Sequence, residues 1–236
     1  MSTNAPSHSS PSSLDRAPAL AAASSVVHEG LAGVVATETR LSRVEGDAGR
    51  LTIAGYDVAD IAPRVPFEAM AHLLLHDRLP DAGELAAFQR AIAERRTLGP
   101  ATLELLREAS RRAVSPMHAL RLGVASLVDE EPTPVRLLGA LPSIAAAYAR
   151  LLAGREPLAP DSTLTASESF LYGLSGTLPG VRQARALDTY WNTVADHGLN
   201  ASTFTARVIA STGGTLAAAV EGALGALEGP LHGGAP

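Results

Sequence analysis

Two histidines stand in breaks between helical runs, each among glycines and small polar residues: His197 in ADHGLNASTF and His232 in GPLHGGAP. Glycines at 229, 233 and 234 and the proline at 230 force bends on both sides of Leu231 and His232, so this imidazole is carried by a turn. A presented imidazole has two chemical uses, donating a hydrogen bond to a carbonyl or carboxylate and moving a proton near neutral pH. It also has a plain use, as a capping or loop residue. Each histidine alone admits either reading, and the pair has to separate them.

The other five histidines are less pointed. His8 lies in a Ser/Pro-rich opening, His28 precedes the first β-like run, and His118 falls in the first turn of a helix. His72 and His76 in HLLLH are four residues apart on one helical face, a spacing that can grip a metal ion. The glutamate of HExxH is missing and no third ligand lies nearby in sequence, so the expectation is a helix face and no metal. HGGA invites comparison with the HGGG oxyanion loop of esterases. The nucleophile elbow that must accompany it is missing, since GLSGT at 173–177 has the wrong glycine spacing. There is no Walker loop and no dinucleotide fingerprint.

The elements that must position the two turns are helices. The chain has 236 residues, 46% hydrophobic and only 4% aromatic, with alanine prominent; this favours closely packed helices over a β sandwich and suffices for one sizeable core. A net charge of -5 without a dense Lys/Arg run argues against nucleic-acid binding. With no cysteine, thiolate catalysis, disulfides and Cys-ligated zinc are out. No segment reads as membrane-spanning: LLGALPSIAAAYARLLAG carries Pro142 and Arg150, and TLAAAVEGALGAL carries Glu221. A cytoplasmic location is the expectation.

Residues 1–27, rich in Ser, Pro and Ala, read as a disordered tail, and 28–236 as the folded part. GVVATET and RLTIAGY read as short strands of a hairpin-like entry element, separated by the polar RLSRVEGDAG. After Pro66 helical spacing dominates. VPFEAMAHLLLHDRLP is one helix, stopped by Pro80; DAGELAAFQRAIAERR restarts with Asp81 and Glu84 as a capping box. SPMHALRLGVASL begins with Ser115 as N-cap and Pro116 at the first helical position. PVRLLGALPSIAAAYARLLAG follows, with a kink expected at Pro142, and then VRQARALDTYWNTVA and ASTFTARVIAST, joined by DHGLN. The last helix, roughly Thr215 to Leu227, is built from Ala, Gly and Leu, which suits either burial in the interior or a subunit interface.

The succession GLAGVVATETRLSRVEGDAGRLTIAGYD, FEAMAHLLLHDRLPDAGELAAF, SPMHALR, LPSIAAAYAR, DHGLNASTFTARVIAST and GALGALEGPLHGGA closely resembles citrate synthase, particularly the bacterial citrate and 2-methylcitrate synthase group. The resemblance runs from about His28 to the last residue. It implies an all-α, multi-helical large domain with a small N-terminal β element, a homodimer, and the condensation of acetyl-CoA with oxaloacetate to citrate and CoA without a further cofactor. His232 matches the family's GPLHG histidine, which polarises the thioester carbonyl. His197 matches the oxaloacetate-binding histidine of DHxxNAS, with Asn200 shaping the same loop. Val194 stands where many members carry a further histidine, so the role of that residue does not transfer.

In the family the catalytic aspartate, a second catalytic histidine in a GHxV motif, the oxaloacetate-gripping arginines and most CoA contacts follow the GPLHGG turn. The expectation is therefore the first part of a large domain without its small domain, as a fragment or one half of a split enzyme, and inactive alone. The resemblance also leaves open propionyl-CoA as the acyl donor, and a catalytically inactive relative acting as an interaction or regulatory protein.

Overall fold

The computed structural model describes residues 37–127 and 133–233. The expected tail, His8 and His28 lie outside the described residues. An antiparallel meander of β1 (Ser42–Glu45), β2 (Arg50–Ile53) and β3 (Tyr56–Asp57) leads into α1 (Val58–Ile61) and α2 (Phe67–His76). Then come α3 (Ala82–Glu94), α4 (Pro100–Arg111), α5 (Pro116–Ala125), α6 (Pro134–Leu152), α7 (Ala166–Ser175), α8 (Val181–Thr193), α9 (Ala201–Ser211) and α10 (Leu216–Leu227).

The β element is where expected, and RLTIAGY supplies β2 and the start of β3, but the first strand is not where expected. The segment supplying β1 is the polar SRVE, paired with β2 so that Val44 faces Leu51, while the described part of GVVATET, from Thr37 on, is not strand. The physical reason is the turn: Gly49 takes the left-handed φ of 60° that closes a hairpin directly after Glu45, and this pulls the preceding four residues into register. Ala54 and Gly55 then form a two-residue turn with both φ positive, at 46° and 88°, the geometry that matches strand twist.

Local signals set the helix starts. Asp81 Oδ1 accepts from the Glu84 N–H at 2.9 Å and Glu84 Oε2 accepts from the Asp81 N–H at 3.0 Å, a complete capping box. Ser115 Oγ accepts from the His118 N–H at 3.1 Å, and Pro116 occupies the first turn. The α2 run stops before Pro80: Asp77 caps it in the left-handed region, φ 60°.

Packing centres on α6. Its residues Ala140, Ile144, Ala147 and Tyr148 are buried against Leu106 of α4 and Ala119 and Val124 of α5. The Tyr148 hydroxyl donates to the Val114 carbonyl at 2.6 Å. A Cβ on Gly123 would lie 3.0 Å from Ile144 Cδ1, so α5 approaches α6 only because that position is glycine. The helix runs unbroken through Pro142 from Pro134 to Leu152. It is long and apolar enough to cross a membrane, yet Leu137, Ala140, Ile144, Ala147 and Tyr148 are spent on the protein interior. A second cluster of Ile53, Ile61, Met70 and Leu73 lies beneath the meander, with Ala195 packed on it.

That second cluster ties α8 to the front of α2. Asn192, fully buried, donates through Nδ2 to the carbonyls of Ala62 and Val65 at 3.1 and 2.9 Å. Asp188 Oδ1 accepts from the Phe67 N–H at 3.3 Å, and Trp191 stands edge-on to Phe67 at 4.9 Å. Burial pushes the Asp188 carboxyl above its ordinary pKa, against the pull of its hydrogen bonds from Ser167 and Phe67. Helix α8 is thus a strut, and the His197 loop begins where it ends.

Candidate functional site

The site is built on α8, α9 and α10. Beyond Val194 the chain turns through Asp196, whose Oδ1 accepts from the Gly198 N–H at 3.1 Å, while Gly198 takes a left-handed φ of 95°. His197 sits between them, exposed, and neither ring nitrogen has a hydrogen-bond partner among the described residues. Asn200 is the N-cap of α9: its Oδ1 accepts from the Thr203 N–H at 2.9 Å and from the Thr203 hydroxyl at 3.1 Å. Its expected part in shaping the loop has a concrete form, since it fixes where α9 starts.

Helices α9 and α10 form a close hairpin through Thr212–Gly214, with Gly213 at a φ of 79°. Gly222 lies against Ile209 and Thr205; a Cβ there would overlap the Ile209 side chain. The hairpin returns the chain so that the turn after α10 reaches the first turn of α9. In that turn the His232 N–H donates to the Gly229 carbonyl at 3.0 Å, and Leu231 points outward, 99% exposed. A side chain at Gly233 would come within 2.8 Å of Leu227 Cγ, so the turn can fold back on α10 only with glycine there.

The His232 turn meets α9 at Ser202. Its Oγ lies 2.8 Å from His232 Nε2, with the donor set by the ring tautomer. Nδ1 of His232 has no hydrogen-bond partner among the described residues. The structure therefore brings His232 to α9 two residues beyond Asn200, with His197 in the loop that enters the same helix. Sequence reasoning assigned no role to Ser202. Its signal was present all the same, as the serine of the NAS stretch, which falls in the first turn of an N-capped helix.

The surroundings are lightly packed. No residue of α9 is buried, and Ala219 alone is buried in α10. This corrects the interior-packing reading of the last helix: α10 lays one face on α5 and α9, while Val208, Leu216 and Leu227 of the hairpin remain in the open. Charge does part of the work that burial does elsewhere. Arg121 of α5 donates through Nε to Glu221 Oε1 at 2.9 Å and through Nη1 to Glu228 Oε2 at 3.2 Å.

The other candidate positions are occupied by structure. His72 is buried, its Nδ1 lies 3.1 Å from the Arg78 carbonyl, and its ring packs on His76 and Phe88 at 4.3 and 5.5 Å. Among the described residues no group of three or more His, Asp or Glu is arranged to hold a metal ion. A cavity of about 320 Å³ between the α3–α4 connection, α6 and α7 is lined by residues such as Leu98, Leu138, Ala147, Leu158 and Phe170, and none of the site residues borders it.

Comparison with known proteins bears on this geometry. The family model described as citrate synthase, C-terminal domain, matches residues 30–236. Citrate synthase of Haloferax volcanii is 40% identical over 221 residues, covering 87% of this chain and 58% of the relative. A 2-methylcitrate synthase of Mycobacterium tuberculosis is 37% identical over 219 residues, 89% of this chain and 56% of the relative. The chain thus spans little more than half the length of these curated relatives. Among solved structures, citrate synthase of Thermoplasma acidophilum in ternary complex with carboxymethyl coenzyme A and oxaloacetate superimposes with a TM-score of 0.79 at 26% identity, over 86% of this chain and 56% of that one. Matched over nearly its whole length by that family model, the chain belongs to the citrate synthase family.

Proposed function

We propose that this chain supplies the oxaloacetate-holding and thioester-polarising turns of a citrate synthase-type acyltransferase. The observation that carries this reading is the 2.8 Å contact of Ser202 with His232, which draws the His232 turn onto the start of the helix that the His197 loop enters. The methyl group of a thioester is a very weak acid. A carboxylate base removes its proton only when a donor stabilises the enolate oxygen that forms, and one preorganised donor is typically worth about 3–4 kcal/mol. His232 suits that role: Ser202 holds the ring at Nε2, and with the hydroxyl donating there, Nδ1 keeps its proton to face the thioester oxygen. His197, exposed in the loop before α9, holds oxaloacetate, and the positive end of the α9 dipole favours that dianion.

The enolate carbon then attacks the ketone carbonyl of oxaloacetate, whose π bond breaks and whose oxygen takes up a proton to become the hydroxyl. The new C–C bond gives a thioester of citrate, and water cleaves its C–S bond to release citrate and CoA. These turns bind, orient and polarise, whereas the proton acceptor is a separate carboxylate. Accordingly, residues 1–236 alone are expected to release no measurable CoA. Propionyl-CoA is the second acyl donor to test, because a 2-methylcitrate synthase is among the relatives. The open apolar residues of α9 and α10 support pairing of two copies through this hairpin.

The test joins the chain to the carboxyl-terminal remainder of the Haloferax volcanii relative. The fusion is expected to release CoA from acetyl-CoA only when oxaloacetate is present, and His232→Ala should lower kcat by about 10²–10³-fold. His197→Ala should act mainly on kcat/KM for oxaloacetate. An active fusion indifferent to His232→Ala would refute the assignment.

A further inference from the structure

The turn that carries His232 has little to hold it. Leu231 offers no apolar anchor, and α10, on which the turn hangs, buries a single alanine. Ala217, Val220 and Leu224 rest partly buried on the core cluster, and beyond Leu224 what fixes the end of α10 is polar. Glu221 and Glu228 are seven residues apart, two helical turns along one face, and Arg121 of α5 spans them. Its Nε and Nη2 each lie 2.9 Å from Glu221 Oε1, and its Nη1 lies 3.2 Å from Glu228 Oε2. The guanidinium passes beneath Gly225, where a Cβ would rest 3.4 Å from its central carbon. Glu228 Oε1 accepts a second bond, from the Ser115 hydroxyl at 3.2 Å, and Ser115 is itself the N-cap of α5. One carboxylate, adjacent in sequence to Gly229, is thus held from two points on the neighbouring helix.

We infer that Arg121 and Glu228 are positioning residues for the His232 imidazole, setting the end of α10 so that the turn delivers the ring to Ser202. The inference rests on the reading of His232 as the group that faces the thioester. Both partners of each ion pair are about one-third exposed, and pairs of that kind add little to folding stability. Their consequence is geometric, because a displacement of about 1 Å in a positioned group costs on the order of 100-fold in rate. The hydrogen bonds from Arg121 to Glu221 and then Glu228 hold the guanidinium above its ordinary pKa, so it stays charged across the working pH range.

The experiment uses residues 1–236 with ¹³C-labelled histidine, the His232 signal being assigned from His232→Gln. Ser202→Ala sets the displacement expected when the ring loses its partner. Arg121→Met and Glu228→Gln are each expected to move the His232 signal in the same direction by at least half that displacement, with helical circular dichroism retained and the melting midpoint within about 4 °C of the parent. A His232 signal unmoved in both variants overturns the inference. Unfolding of both variants also overturns it, since the cluster would then be holding the fold and not the turn. The readout needs no turnover. An unmoved His232 beside an intact oxaloacetate response removes the positioning role and leaves the proposed function standing, while moved signals without any oxaloacetate response do the reverse.

Discussion

The half of the molecule around α6 and the hairpin of α9 and α10 solve the same problem in opposite ways. Around α6, Leu106, Val124, Ala140 and Ile144 are completely buried, and position follows from close packing. In the hairpin one alanine is fully buried, Ala217, Val220 and Leu224 rest partly buried on the core, and the remaining positioning follows from caps, a glycine contact at 222 and the Arg121 ion pairs. The difference teaches where chemistry sits in this chain. The packed half provides a fixed frame, and the presented imidazoles belong to the half held by directional contacts, which keeps His197 and His232 open to ligand.

The largest expected contrast is in cavity cost. Ile144→Ala should lower unfolding free energy by about 2–5 kcal/mol, whereas Ile209→Ala in α9, where no residue is buried, should cost about 1 kcal/mol. Urea unfolding of both measures the pair, and equal costs would break the comparison.

Acid should also separate the regions. The hydrogen bond from Arg78, followed by that from the Asp81 N–H, holds the Glu84 carboxyl down to about 2 from an ordinary 4.5. A depressed folded pKa stabilises the fold above 4.5, and that contribution is lost as pH falls through about 2. Glu84→Gln should therefore lower the melting midpoint at pH 6 and narrow its gap to the parent as the pH falls below 4.5 towards 2. A gap that stays constant over this range would contradict the assignment.

The smallest expected effect is at Ala54, the residue with φ 46° in the β2–β3 turn. Left-handed backbone costs an L-residue about 1–2 kcal/mol, and glycine returns roughly 0.5–1 kcal/mol of that in chain entropy. Ala54→Gly should be stabilising by a few tenths to about 1 kcal/mol on the same scale. A clear loss of stability would mean that the turn is held by contacts of the Ala54 methyl group.

Much of this was legible in the sequence because the signals were local. Ser115-Pro116 and Asp81 with Glu84 announced their helices, and the two histidine turns were marked by glycines whose need the structure confirms at Gly198 and Gly233. What was not legible depended on distant partners. Helix α4 and helix α7 are the exceptions, unassigned although they carry local signals: Pro100 in the first turn of α4, and a Thr165–Glu168 capping box at α7, reinforced from afar by Glu68, whose Oε1 accepts from the Ala166 N–H at 2.7 Å across 98 residues. Strand β1 was missed because polar SRVE is set by the turn that follows it, not by its own hydrophobicity. Burial of α10 was overestimated, since an Ala/Gly/Leu composition reports the ability to pack closely and not whether a neighbour covers both faces. Ser202 and the Arg121 cluster join residues 30 and about 100 positions apart, which no local pattern encodes.

The most direct test of the central claim is an oxaloacetate titration of residues 1–236 carrying ¹³C-labelled histidine, each signal assigned by single substitution. His197 is expected to shift saturably, His232 to follow through the shared start of α9, and His72, His76 and His118 to stay in place. A saturable response that bypasses His197, or no response of any histidine, would contradict that claim.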